Sequence, residues 1–437
     1  MEWNSDDFVR DYFTMACATE FTLTIGNDKE VYVLGSKEPS DESHLPVQIR
    51  SLSNIVEVSC SKLNTVFLDY YGHVWQSKIP NIGINEDFRP SRVEGIPLMI
   101  SVACGESHVC CISHEFHIWS FGNGSHGQLG FTPETDEICN AKPRKVPGVS
   151  PAQKVQCGYQ HSVVLTKDGA VFACGSSKYG RLGIPTSRDK LFSFTQVNVP
   201  ETVDISCGMD YTVFLTDEGK VFACGNNLGG QLGLGNTENV YNTPTRVKGL
   251  KNIVKVSSLR FHTLCVGMDE SLWSFGCNKF LGDTLLPVQM HEIRNVVSIP
   301  TGDGFQTIVK GRNAVWGFGE NQHGQLGVPI RQVISSGEIV QLSNQVSHIF
   351  SESGTVSILD LLENRESYVR ILLHSLPFTE FFLIDSKRGK NSISIARSSS
   401  LRLLCNSKIV ATRFAQFVQR STETKSFYSG TGFICIV

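Results

Sequence analysis

Apolar residues in this chain come in short runs separated by glycine turns, and one such arrangement is written several times over. Ser162-Val-Val-Leu-Thr166 leads through Lys167-Asp-Gly169 into Ala170-Val-Phe-Ala-Cys174; Thr212-Val-Phe-Leu-Thr216 leads through Asp217-Glu-Gly219 into Lys220-Val-Phe-Ala-Cys224. Short runs rich in β-branched and aromatic residues, joined by a glycine turn, predict β-hairpins. Gly169 and Gly219 fall where such a turn needs positive φ, which glycine adopts without steric cost. The run ahead of each hairpin, as in Ile55-Val-Glu-Val58 and Val254-Lys-Val-Ser257, alternates like a half-buried strand. A fourth run follows a glycine-rich loop, as in Pro46-Val-Gln-Ile49, Pro143-Arg-Lys-Val146 and Pro244-Thr-Arg-Val247.

The spacing of these units is regular in one part and loose in another. Cys17, Cys60, Cys104, Cys157, Cys207, Ser258 and Thr301 each close a first strand, and 18 residues later stand Gly35, Lys78, Gly122, Gly175, Gly225, Gly276 and Gly319. Between units the distance varies from 43 to 53 residues. The constant interval is the rigid hairpin, expected to supply the inner strands, and the variation belongs in loops, where extra length costs little entropy. Seven units of four short antiparallel strands predict an all-β, seven-bladed β-propeller over residues 1–360, a ring that leaves few open sheet edges.

Each loop after the hairpin carries a repeated glycine signature. It reads Gly122, Gly127 and Gly130 in the third unit, Gly175, Gly180 and Gly183 in the fourth, and Gly225, Gly230 and Gly233 in the fifth. In the seventh it reads Gly319, Gly324 and Gly327. Gly122-Asn-Gly-Ser-His-Gly127 matches a dinucleotide fingerprint in letters only. No helix pattern follows it and the sister copies lack the middle glycine, so no cofactor is expected. His108, His161 and His262 fall four residues after their markers, in a slot that elsewhere holds Tyr211, Asn64, Phe21 or Phe305. Three histidines on three blades, in a slot that accepts phenylalanine, read as structural hydrogen-bonding positions and not as a metal site. The marker cysteines read as small buried apolar residues.

The combination Cys-Gly-x-x-His-Ser/Thr, Asp-Gly, a strand ending in Gly, then Gly-Gln-Leu-Gly resembles the regulator of chromosome condensation repeat, over roughly residues 14–345. The resemblance implies a seven-bladed propeller closed by strands from the two chain ends, for which Val346–Phe350 and Gly354–Leu359 are candidates. One branch of that family acts on the small GTPase Ran. Unit two departs from the pattern, with Trp75-Gln-Ser-Lys-Ile-Pro80 in place of Gly-Gln-Leu-Gly, and units one and six are eroded.

After Asp360 the turns stop. Leu361, Leu362, Tyr368, Val369, Leu372 and Leu373 share one helical face, Pro377 ends it, and a second amphipathic stretch carries Val410, Phe414, Phe417 and Val418. Residues 361–437 are therefore expected to be a helical segment. Its first helix resembles the start of a Dbl-homology domain, the exchange module for Rho-family GTPases. Here, however, Arg365 and Glu366 stand in reversed order, and 77 residues are about half of what that domain needs.

Charge narrows the function. A net charge of −3 and acidic Glu2, Asp6 and Asp7 at the start disfavour DNA as a partner. The densest basic cluster of the propeller, Lys142, Arg144 and Lys145, follows Glu134, Asp136 and Glu137, a mixed surface suited to a protein contact. No apolar leader, no transmembrane run and no hydrolase, transferase or redox motif is present. With the 14 cysteines scattered along the chain, these features predict free thiols and a monomer in the cytoplasm or nucleus. Two functions are expected. One is a regulatory, protein-interaction propeller in small-GTPase signalling; the other is a guanine-nucleotide exchange factor for a Ran- or Rho-family GTPase. In the second, Arg365 and Glu366 would face the partner.

Overall fold

The computed structural model describes residues 15–341 apart from 27–28, 36–44, 62, 78–88, 135–137, 278–283, 303–305, 312–313 and 329–339, together with 427–430 and 433–436. Six four-stranded sheets and one five-stranded sheet follow one another along residues 15–341, and they make a seven-bladed β-propeller. Blade 4 shows the plan: Ala152–Cys157, His161–Thr166, Val171–Ser176 and Lys190–Gln196, each antiparallel to the next. Blade 5 repeats it with Thr202–Cys207, Tyr211–Thr216, Val221–Asn226 and Val240–Arg246. Blade 3 uses Met99–Cys104, His108–Ser113, Ile118–Gly122 and Ala141–Lys145. Blade 2 keeps all four strands despite its lost glycine signature, with Ser91–Arg92 outermost.

Register explains the constant interval. The slot residue of the second strand pairs with the glycine at or next to the end of the third: His108 with Gly122, His161 with Gly175, Tyr211 with Gly225 and His262 with Gly276. In blade 7 the partner of Gly319 is Gln306, so the slot lies one residue beyond Phe305, the position that spacing alone assigns. The hairpin supplies the second and third strands, not the innermost ones. First strands of successive blades lie against one another at the centre. The physical reason is crowding near the axis: Ser59, Ala103, Gln156, Ser206 and Ser257, one position before the markers, are mostly small. The hairpins carry the apolar mass instead, with Val163, Leu165, Val213, Phe214 and Leu215 fully buried. Each contributes about 1.5–3 kcal/mol of transfer free energy.

The ring closes within the described residues. Thr301–Gly302 lies parallel to Met15–Cys17, pairing Ala16 with Thr301 and Cys17 with Gly302. Gln325 Nε2 of blade 7 donates to the Thr19 carbonyl at 3.4 Å. The candidate closing strands 346–350 and 354–359, the candidate helices 361–373 and 410–418, and Arg365 and Glu366 lie outside the described residues. What is described near the C-terminus is an antiparallel hairpin, Phe427–Gly430 with Phe433–Ile436. The rest of the segment expected to be helical, 361–437, lies outside the described residues.

No disulfide joins the twelve cysteines from Cys17 to Cys277. Thiol titration of the denatured, unreduced, chelator-treated protein is expected to find all 14 cysteines of the sequence. A shortfall of two or more would contradict that.

Candidate protein-interaction surface

The histidine slots build the joints between blades. His108 Nε2 of blade 3 lies 2.8 Å from Ser162 Oγ of blade 4, and that hydroxyl donates to the Gln128 carbonyl of blade 3 at 2.7 Å. His161 Nε2 lies 3.0 Å from Thr212 Oγ1, which donates to the Arg181 carbonyl at 2.7 Å. His262 Nε2 lies 3.1 Å from Thr307 Oγ1. A hydroxyl has one proton; where it goes to the carbonyl, the imidazole Nε2 must donate and the ring is neutral with its lone pair on Nδ1. Burial favours the same form, pushing His108 down to about 3, His262 to about 4 and His161 well below its ordinary value. Tyr211 fills the slot in blade 5 differently, its hydroxyl lying 3.0 and 2.6 Å from the carbonyls of Leu259 and His262, one of which takes its proton.

The glycine signatures seat each loop on the following blade. Gly127 lies against Leu191, Gly180 against Tyr241 and Gly230 against Leu285, while Gly130 and Gly233 face the rings of Phe194 and Phe275 and Gly183 faces Cys224 Sγ. Gly122 and Gly319 end third strands and Gly175 and Gly225 stand one residue before the end, all at positive φ, and Gly324 and Gly327 repeat the turn in blade 7. Between the glycines, the glutamine closes its own loop. Gln128 Oε1 accepts from His126 N at 2.9 Å, Gln231 Oε1 from Gly229 N at 2.8 Å and Gln325 Oε1 from His323 N at 2.8 Å.

Blade 4 breaks this rule, and the exception draws attention to its surface. Arg181 stands where the other loops have glutamine and cannot accept. Its Nε donates to the Lys178 carbonyl at 3.0 Å, and Nη1 comes within 2.8 Å of Asp210 Oδ1 in blade 5, a close ion pair without the alignment of a directed hydrogen bond. Burial lowers the affinity of Arg181 for its proton and raises that of Asp210, outweighing the charges of Arg181 and Arg260. An ion pair this far from water gives position more than net stability.

Over this anchor the turn at Lys178–Gly180 projects outward. Tyr179 adopts φ 59 and is 43% exposed, its ring 5.5 Å from the Arg181 guanidinium. Exposed Lys190 reaches from the outer strand of blade 4 to the blade 3 loop, its Nζ 3.0 Å from the Ser125 carbonyl. Next to Ser125, His126 reports the resulting field. Burial first, then the charges of Lys190, Lys178 and Arg181, hold its pKa below the ordinary value. Lys178, Tyr179, Lys190 and His126 therefore form one cationic, aromatic surface built from two blades over the buried Arg181. Sequence reasoning missed it because Ser125 and Lys190 are 65 residues apart. The visible signal was arginine in the glutamine position.

The basic residues singled out by sequence lie elsewhere in blade 3. Lys142, Arg144 and Lys145 belong to its outermost strand, with Arg144 opposite Ser120 and Lys145 opposite Trp119. Arg144 Nη2 pairs with Glu134 Oε1 at 3.4 Å. Charges on an edge strand discourage pairing with another sheet. A second exposed cluster, Tyr70, Tyr71 and Leu98, surrounds the blade 2 hairpin turn; Lys29 Nζ lies 5.1 Å from the centre of the Tyr70 ring. No helix among the described residues is long and apolar enough to cross a membrane.

Comparison with known proteins places this architecture. The RCC1-like domain model matches residues 21–354. The ultraviolet-B receptor UVR8 of Arabidopsis thaliana is 28% identical over 315 residues, 65% of this chain and 69% of the receptor. The X-linked retinitis pigmentosa GTPase regulator homolog of Caenorhabditis elegans is 29% identical over 166 residues, which is 36% of this chain but only 12% of that relative. The crystal structure of Prp20p from Saccharomyces cerevisiae, described with its binding to Gsp1p and histones, superposes with a TM-score of 0.58. It is 17% identical, covering 79% of this chain and 85% of that one.

Proposed function

The chain belongs to the RCC1-like domain family, and from that premise we propose that it is a non-enzymatic, regulatory propeller that docks an acidic protein surface in small-GTPase control. The observation that carries the reading is the meeting of two blades at His126: Lys178, Lys190 and buried Arg181 of blade 4 act on this blade 3 histidine, beside exposed Tyr179. Cation and aromatic side chains on a rigid base make an efficient docking patch, because little side-chain freedom is lost on binding. The GTPase-regulator name of the nematode relative and the Gsp1p binding of Prp20p support a GTPase-linked partner. The narrower reading is exchange activity on a Ran- or Rho-family GTPase, and it rests on those relatives and on the resemblance around Arg365 and Glu366. No motif for bond-breaking chemistry is needed for either reading.

Titration of the protein with a panel of Ran- and Rho-family GTPases tests the docking surface. Reversing two charges, Lys178→Glu with Lys190→Glu, is expected to weaken the complex at least tenfold, about 1.4 kcal/mol, and to flatten its salt dependence. Both side chains are at the surface, so folding should change by no more than about 0.5 kcal/mol. Unchanged affinity in the double variant would contradict the assignment of this surface.

A further inference from the structure

The joint between blades 3 and 4 differs from its sister joints by one residue. At each joint a slot residue of one blade faces a hydroxyl of the next: His108 with Ser162, His161 with Thr212, Tyr211 with Thr263. The marker that closes the first strand stands five residues before that hydroxyl, as Cys157, Cys207 and Ser258. Two residues beyond the slot, the second strand places Val163 in blade 4, Val213 in blade 5 and Leu264 in blade 6, all fully buried. Blade 3 places Cys110 there, equally buried. The consequence is a group of three metal-ligating side chains, His108, Cys110 and Cys157, whose ligand atoms lie within 4.8 Å of one another. Among the described residues no other such group of three occurs.

From this geometry we infer that His108, Cys110 and Cys157 form a zinc site that fastens blade 3 to blade 4. Zn–S distances of about 2.3 Å and Zn–N of about 2.0–2.1 Å put tetrahedral ligand atoms roughly 3.5–3.8 Å apart. Closing the trio onto an ion therefore takes shifts of about an ångström. Ser162 Oγ lies 2.8 Å from His108 Nε2, 3.5 Å from Cys110 Sγ and 3.7 Å from Cys157 Sγ. Its proton is directed to the Gln128 carbonyl, so its lone pairs face the trio and it completes four donors. Coordination through Nε2 moves the ring proton to Nδ1, a buried atom that has no hydrogen-bond partner in the structure. Two thiols lose their protons as the Zn–S bonds form, so one Zn²⁺ binds and two H⁺ leave. Two thiolates and Zn²⁺ sum to zero, which suits a buried position; Cu⁺ with the same two thiolates would leave a buried negative charge. The ion would also stiffen the surface described above, because Gln128 belongs to the same loop as His126 and Ser125.

The test uses the full-length, reduced, chelator-treated protein titrated with Co²⁺ and then Zn²⁺. Wild type is expected to take up one Co²⁺ with a thiolate-to-cobalt charge-transfer band, releasing two protons as the metal binds, and to lose the band without further proton release when Zn²⁺ displaces the cobalt. Cys110→Val, which copies blades 4 and 5, should keep the metal-free melting temperature and lose the band. Its zinc affinity should fall by more than the roughly 100-fold that loss of an outer-shell partner costs. Cys157→Ser, which copies the marker of blade 6, should behave alike and serves if the first variant does not fold. A wild type with no thiolate-to-cobalt band, or both variants retaining it, would overturn the site.

Discussion

Lowering the pH from 7 to 5 is expected to remove about 2 kcal/mol or more of stability from the propeller, through buried histidines that the fold keeps neutral, His161 and His262 among them. In the unfolded chain an imidazole takes up its proton near pH 6.5. In the fold, burial holds His262 down to about 4 and His161 well below its ordinary value. Between these limits the unfolded state binds more protons than the native one, so stability falls as pH falls. The loss begins near pH 6.5 and ends for His262 near pH 4, below which both states are protonated. His262 forfeits about 1.4 kcal/mol per pH unit in this window, or roughly 2 kcal/mol by pH 5. His161, held low by burial, adds to the loss in the same direction. Urea unfolding at pH 7, 6 and 5 measures the slope. His161→Asn with His262→Asn should be less stable at pH 7, having lost the contacts to Thr212 and Thr307, and should lose most of the slope. An unchanged slope in the double variant would show that other groups govern acid unfolding.

Gly180→Val should open the joint between blades 4 and 5. Gly180 has φ +77, a conformation that strains any side chain by about 1–3 kcal/mol. Its Cβ would also lie 2.5 Å from the Tyr241 carbonyl and 2.7 Å from Asn242 Oδ1. The carbonyl belongs to the backbone of the neighbouring blade, so it cannot step aside as a side chain would. Gly249 separates the two effects: it has φ +87, and nothing lies within 4 Å of its Cβ. Gly249→Val therefore carries the backbone strain alone, and Gly180→Val should melt clearly below it. Equal melting temperatures would show that the loop yields and that its packing on blade 5 contributes little.

Turn chemistry and spacing made the architecture readable, because each is local. Gly169 and Gly219 identify hairpins from a few residues of sequence, and the eighteen-residue interval follows from a slot residue that must pair with a positive-φ glycine. The order of strands from axis to rim was not readable in this way. It depends on which strands can crowd at the centre, and Ser206 or Ser257 do not announce that alone. Ring closure through Thr301–Gly302 joins residues nearly 300 apart along the chain, beyond any local pattern. The surfaces show the same division. Lys142, Arg144 and Lys145 were conspicuous as neighbours in sequence yet lie along an edge strand. Lys178, Lys190 and His126 are dispersed in sequence and meet only through the blade joint. Cys110 likewise carries no signal in local sequence, since its chemical neighbours are His108 on the same strand and Cys157 on the next blade. Aligning the repeats and asking where one blade departs from the rest would have found both Arg181 and Cys110.

The central claim is that the propeller itself is the docking element and that docking, rather than exchange, is what it does. Fluorescent-nucleotide release from Ran- and Rho-family GTPases, measured alongside binding for the full chain and for a protein ending at Asp360, tests it most directly. The expected result is that both forms bind the same GTPase with similar affinity and that neither speeds release tenfold. Acceleration of tenfold or more, about 1.4 kcal/mol off the release barrier, or binding that disappears with residues 361–437, would contradict it.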